Sequence, residues 1–281
     1  PWHGDTGEIR VERPRVQWDI LDAWREAAQE QGIPKIEEFN RGDNEGCAYF
    51  QMTQRRGERW SMADAYLHPI RNRTNLTILT KAQVLQLKLR PITAASLNQH
   101  RYTQSAWHGA QTEVYGLDFL YNGERKTALA QDQVILSAGS IGSPQLLQIS
   151  GIGARAHLES IGVKTQVELP GVGENLQDHL QIRTVYQVEN CKTVNTLYKN
   201  WITRIGMGLE YIFKRTGPLT MPPSTLGAFT KSDPSQVSAN IEWHVQPLSL
   251  PKFGEPLHPF NAITPSVCNL RPSSRGWVRA L

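Results

Sequence analysis

Three cysteines, Cys47, Cys191 and Cys268, are all that the chain carries, and no two of them form a C-x-x-C pair. Neither a disulfide framework nor a zinc finger or ribbon is indicated. No apolar run approaches the roughly 20 residues that a membrane-crossing helix needs, and no signal peptide opens the chain. Lysines and arginines are spread along it without a dense run and the formal net charge is only +4, so there is no footprint for nucleic acid. The eight histidines form no H-E-x-x-H, and no G-x-S-x-G is present. These absences argue against a metal centre and a hydrolase nucleophile elbow. Internal repeats and low-complexity tracts are also missing. What remains is 281 residues, 39% of them hydrophobic, enough to bury a core and to form two domains.

The most informative stretch runs from Val134 to Gly153. Val134, Ile135 and Leu136 read as a strand buried on both faces. The small residues Ser137, Ala138, Gly139 and Ser140 follow, and at the carboxyl end of a parallel strand they let backbone come close to a ligand. Ser143 is suited to cap a helix with Pro144 at its first position. Gln145 to Ser150 is expected to be helical, with Gly151 as a left-handed stop and Ile152 packing back on it. Strand, close-approach turn, short helix and glycine stop make the edge of a ligand site in an α/β fold. An ordinary, tightly packed βα unit would use the same residues.

Elsewhere the pattern predicts a helix over 16–32, with Ile20, Trp24, Ala27 and Ala28 on one face, ended by Gly32 and Pro34. Tyr49 to Met52 reads as a short strand. Ser61 and Asp64 have capping-box spacing. Strands are expected at 76–80 and 82–89, a surface excursion at 90–111, and a hairpin over 112–130 turning on Asn122-Gly123. With 82–89 the hairpin would make a three-stranded antiparallel flap. A short helix at 154–161 precedes a loop over 167–178, and a domain boundary is expected near Leu180. Beyond it come a strand at 182–188 and a long helix over 194–215. That helix carries the stripe Leu197, Trp201, Ile205, Leu209 and Ile212. Strands at 239–247, 262–270 and 276–281 complete an antiparallel sheet.

Few residues announce chemistry unaided. Gly171-Val-Gly173 is too short for a dinucleotide fingerprint and reads as a tight loop. Asp178-His179 suggests an acid–base pair, but sequence neighbours point apart, and a structural hydrogen-bonding role accounts for them as well.

Gly139-Ser-Ile-Gly-Ser-Pro-Gln-Leu-Leu-Gln-Ile-Ser-Gly-Ile-Gly153 resembles the second signature of the glucose–methanol–choline (GMC) family of FAD-dependent oxidoreductases. Three further blocks follow that family's pattern in order. They are Gln54 to Ser61 with Ala65-Tyr-Leu67, Asn75 to Val84, and Leu169 to His179. The similarity extends from His3-Gly4 to Ser274-Arg-Gly-Trp-Val278.

The resemblance implies an α/β architecture of mixed α+β character. Residues 71–180 would form part of an FAD-binding doubly wound domain with an inserted antiparallel β flap. Residues 181–281 would form an incomplete substrate domain with an antiparallel sheet and helices, and residues 1–70 a helical and irregular segment between the two. It implies FAD as cofactor, with Val84 meeting the adenine end through its backbone, although Val84 also suits plain core. Ala138 and Gly139 would lie near the ribose and pyrophosphate, and Asn175, Asp178 and His179 near the flavin. The family's G-x-G-x-x-G and first signature lie upstream of Pro1, and its catalytic histidine lies downstream of Leu281. No histidine here matches it, so no catalytic residue is named. The chain is expected to be an internal piece of a longer protein.

The implied activity is oxidation of an alcohol or choline-like substrate by hydride transfer to flavin N5, with oxygen or a quinone-type carrier as electron acceptor. The fragment alone is expected to be inactive. A cyanohydrin-cleaving lyase of the same family and a non-catalytic truncated remnant are the alternatives. A cytoplasmic location is expected, with peripheral attachment to a membrane left open.

Overall fold

The computed structural model describes residues 3–93 and 111–281, so most of the excursion expected at 90–111 lies outside the described residues. Contacts divide the chain into two units, Pro1–Leu76 with His179–Pro272, and Thr77–Asp178 with Ser273–Leu281. The architecture is mixed α/β with antiparallel sheets.

In the first unit, a sheet runs in the order Gly46–Tyr49, Leu226–Thr230, Ile241–Gln246, Ala262–Asn269 and Gln181–Arg183, with Tyr186–Gln187 also paired to Ala262–Asn269. Every pairing is antiparallel. One face is covered by the helix Asp19–Glu30, whose Leu21 and Ala28 pack with Trp18, Cys47, Leu226, Ala228 and Val245. Ile20 and Trp24 pack against this core and Ala28 is buried in it, as expected, while Ala27 faces solvent and Leu21 joins the buried side. The helix ends as Gly32 and Ile33 donate to the carbonyls of Gln29 and Ala28. Gly32 adopts the left-handed φ of 88° that this stop requires.

Several expectations are corrected here. Tyr49 to Met52 is not one strand: Gly46–Tyr49 joins the large sheet and Met52–Arg55 joins a small one with Val11–Glu12 and Glu58–Arg59. Ser61 and Asp64 do form reciprocal bonds, Ser61 N to Asp64 Oδ2 at 2.9 Å and Asp64 N to Ser61 Oγ at 3.3 Å. They cap a wide π-type turn, Ala63–Leu67, rather than an α-helix. The long helix divides at Asn200 into Val194–Lys199 and Trp201–Lys214. Asn200 takes extended backbone there, and its side chain accepts from Ile202 N at 2.9 Å. The break moves Leu197 onto a different helix, and Trp201, Ile205, Leu209 and Ile212 stay exposed while Met207 is buried.

The second unit is built on the expected three-stranded flap, Ala82–Pro91, Thr112–Tyr121 and Glu124–Leu129. Asn122 and Gly123 supply positive φ values of 53° and 81°, the signature of a type I′ turn. Leu87 packs with Leu146, Ile152 and Val172, joining the flap to the helix Gly139–Ile149 and to the loop after it. Val134 to Leu136 forms no ladder and Ile135 is 78% exposed. Residues 76–80 are likewise unpaired, with Ile78 and Leu79 exposed. An apolar run becomes a buried strand only where neighbours flank it. Among the described residues the one parallel ladder is Ile152–Gly153 with Val167–Glu168.

Candidate functional site

The helix Gly139–Ile149 begins four residues before Ser143, with Ala138 as its N-cap. Ser143 acts from within the first turns, its Oγ accepting the Ala138 amide at 3.1 Å. Pro144 therefore lies inside the helix. Lacking an N–H, it leaves the carbonyl four residues earlier without its usual donor, at the solvent-facing end where that is cheapest. Ala138, Gly139, Ser140 and Ile141 are all exposed. Gly139 has a φ of 80°, and a Cβ added to it would meet nothing within 4 Å. The backbone is bare, the space beside it is open, and the unpaired N–H groups of a helix start attract negative charge.

The other end of the helix is fixed. Ser150 Oγ accepts the Leu87 amide at 2.9 Å and donates to Leu146 O at 2.6 Å, tying helix to strand. Gly151 turns with a φ of 84°, where a Cβ would lie 2.6 Å from Lys164 O. Gln148, on the inner side of the helix, is fully buried. Its Nε2 donates to Val278 O at 2.9 Å and Val172 O at 3.3 Å, while Oε1 accepts Ala280 N at 2.6 Å. Gly173 lies against this post with a φ of 80° and no room for a Cβ, 2.2 Å from Val278 O. The turn leading to Asn175, itself at a φ of 62°, is thereby anchored to the inner face of the helix whose outer end is open.

Val84 is half-buried and packs against the same core. Its strand is at the edge of the flap, and the ladder slips between Val84 and Gln86. Such a bulge re-aims side chains and releases backbone groups, and it recurs beside ligand sites. The Val84 carbonyl accepts the Gln83 side-chain amide at 3.2 Å. Val84, Ala138, Gly139, Asn175 and Asp178 thus belong to one unit, and His179 opens the next segment of the other. Asp178 and His179 are exposed.

The first unit holds a cavity of about 640 Å³, which the sequence did not disclose. Phe50, Gln54, Tyr211, Leu219, Met221 and His244 are among its lining residues. Gln51, Thr53, Arg59 and Ser224 line it as well, so apolar and polar groups share a wall that can take a small molecule. Gln54 is buried, donating to Thr220 O at 2.6 Å while its Oε1 has no partner. His244 Nε2 lies 3.2 Å from Glu242 Oε1, and its ring is 5.6 Å from that of Phe50. The one available signal was the E-x-H spacing on an expected strand, which puts both side chains on one face.

A family model described as GMC oxidoreductase matches residues 5–181. The chain is 34% identical over 280 residues to human mitochondrial choline dehydrogenase, covering 99% of this chain and 43% of that protein. It is 33% identical over 278 residues to alcohol dehydrogenase [acceptor] from Pseudomonas putida, covering 99% and 47%. The chain therefore spans about half the length of the curated relatives it matches. Among solved structures, pyridoxine 4-oxidase from Mesorbium loti superposes with a TM-score of 0.73 at 26% identity, covering 99% of this chain and 47% of that one.

Proposed function

The chain belongs to the GMC oxidoreductase family, and on that footing we propose that the whole protein oxidises the CH–OH group of an alcohol or choline-like substrate with FAD as cofactor. The observation that carries the cofactor assignment is the exposed, side-chain-free start of the helix Gly139–Ile149, where added bulk at Gly139 would meet only open space. That cradle fits a dinucleotide: small residues allow close approach, and backbone amides at a helix start suit a pyrophosphate. In this reading Ala138 and Gly139 hold the ribose and pyrophosphate, the Val84 backbone meets the adenine, and Asn175, Asp178 and His179 border the flavin. When bound, the flavin supplies the hydride acceptor at N5.

The unit Thr77–Asp178 with Ser273–Leu281 is then the flavin-binding portion, and the unit with the large antiparallel sheet the substrate portion. Its cavity, where Phe50, Leu219 and Met221 stand beside Gln54, Arg59 and His244, suits a small molecule with an apolar body and a polar handle such as a hydroxyl. This chain's residues bind and orient. None is assigned the removal of the alcohol proton, so the 281-residue chain by itself is expected to turn nothing over.

The test is anaerobic addition of primary alcohols and choline to the full-length holoenzyme. Bleaching of the flavin absorbance is expected. A flavin that stays oxidised with every alcohol, while a cyanohydrin is cleaved, would overturn the oxidoreductase reading.

A further inference from the structure

Sheet register assembles a cluster of side chains of which the proposed function uses only His244, as a cavity-lining group. Glu242 and His244 are two residues apart on Ile241–Gln246 and therefore share a face. Cys268, in the neighbouring strand Ala262–Asn269, lies directly opposite Glu242, and Ser266 lies opposite His244. Glu242 Oε1 is 3.2 Å from His244 Nε2. One ligating atom from each of Glu242, His244 and Cys268 falls within 4.8 Å of the other two. Ligands of a tetrahedral zinc ion are roughly 3.5 Å apart, so small side-chain rotations would close the set.

A second observation points into the same cluster. Ser266 is fully buried, and its Oγ has no hydrogen-bond partner. A buried hydroxyl without a partner is unfavourable. Strand alternation places it on the face that carries His244 and Cys268. Gln181 Nε2 donates to Cys268 Sγ at 3.2 Å, a contact that would support a coordinated thiolate as an outer partner. The cation in register here, Arg183 opposite Ser266, directs its guanidinium to Gln246 Oε1 at 3.4 Å and over the Phe253 ring.

We propose that Glu242, His244 and Cys268 bind a borderline divalent cation of the zinc class, with a water in the fourth position held by Ser266 Oγ. Carboxylate oxygen, imidazole nitrogen and thiolate sulfur together suit Zn²⁺ or Co²⁺ and are too soft a set for Mg²⁺ or Ca²⁺. Coordination replaces the Cys268 thiol proton with the metal and releases that proton to solvent, with no change of oxidation state. The site belongs to the sheet alone and stands or falls independently of the flavin assignment.

The experiment is titration of the metal-free 281-residue chain with Co²⁺, read by visible absorption. Ligand-field bands of tetrahedral intensity and a thiolate-to-cobalt charge-transfer band are expected, saturating at one equivalent and bleached by Zn²⁺. Cys268→Ser should abolish the charge-transfer band, and His244→Ala should weaken Co²⁺ binding by at least roughly tenfold, the lower end of what loss of even an outer-shell partner costs. Cys191→Ser, whose thiol lies outside the cluster, should leave the spectrum unchanged. Near-ultraviolet circular dichroism of each metal-free variant shows that its fold is intact. A folded wild-type chain that shows no charge-transfer band would overturn the site. So would a band that survives Cys268→Ser or disappears in Cys191→Ser.

Discussion

Gln148 Oε1 accepts the backbone amide of Ala280 at 2.6 Å, joining residues 132 positions apart. The same side chain gives its amide hydrogens to Val172 and Val278, so one buried glutamine supports both the loop that leads to Asn175 and the closing segment of its unit. Gln148→Leu keeps the volume and removes all the partners. Two carbonyls and one N–H are then left buried at about 1 kcal/mol each, and a loss of about 3 kcal/mol is expected. Urea unfolding of the variant measures it, and an unchanged midpoint would refute the role.

Two glycines of the same helix should respond differently to a methyl group. Both have left-handed φ, so Gly139→Ala and Gly151→Ala each cost about 1 kcal/mol in backbone strain. At Gly151 the new Cβ also lies 2.6 Å from Lys164 O, whereas at Gly139 it meets nothing. Gly151→Ala is expected to be the less stable by at least about 1 kcal/mol. Gly139→Ala should instead lower FAD affinity in the full-length enzyme while lowering its melting temperature only slightly. Equal melting temperatures for the two variants would contradict this.

The three thiols should separate in a labelling experiment. Cys47 and Cys268 are buried and Cys191 is half-buried. Burial pushes the Cys47 thiol up to about 12, with the charges of Arg25 and Lys35 pulling weakly the other way. Alkylation at pH 8 is expected at Cys191 first, with Cys47 labelled only after unfolding, as read by peptide mass spectrometry. The raised value also fixes the sign of an alkaline effect. The folded state favours the neutral thiol, so this contribution is complete below the unfolded value near 9 and is lost as pH rises toward 12. Cys47→Ala should flatten the fall in stability over that window, and an unaltered slope would count against it.

In the flap, hydrogen bonds from Thr127 and Arg125 hold the Asp118 carboxyl below the ordinary carboxylate range, against a smaller desolvation effect. Depression stabilises the charged form in the folded state. The contribution is therefore present above about pH 4 and disappears as pH falls through the lower folded value. Asp118→Asn should be less stable than wild type at pH 7, with the two converging in acid. Curves that stay parallel down to pH 2 would exclude the effect.

Punctuation was the most legible part of the chain. Asn122-Gly123, Gly32, Gly151 and the Ser61–Asp64 pair act where their local chemistry places them, because turns and stops are decided by a few adjacent dihedrals. The apolar runs at Val134–Leu136 and 76–80 read as strands, yet each lacks a flanking partner among the described residues. Pairing is a property of neighbours distant in sequence, and a run of β-branched residues does not name them. The stripe on Trp201–Lys214 misled for the same reason: periodicity marks an apolar face and is silent about what covers it.

The sequence alone determined the family, through four ordered blocks, and with it the expectation of a small-residue edge at Ala138 and Gly139. It also determined the hairpin of the flap, since a turn and the two strands that flank it are local. Tertiary structure decided which of the other polar residues matter. Gln148 became a buried post, Gln54 and His244 came to line a cavity, and Glu242, His244 and Cys268 met across two strands. Each of these depends on the register of strands whose partners lie tens of residues away. That register is set by how each sheet buries its apolar face, so no short stretch of sequence could announce it.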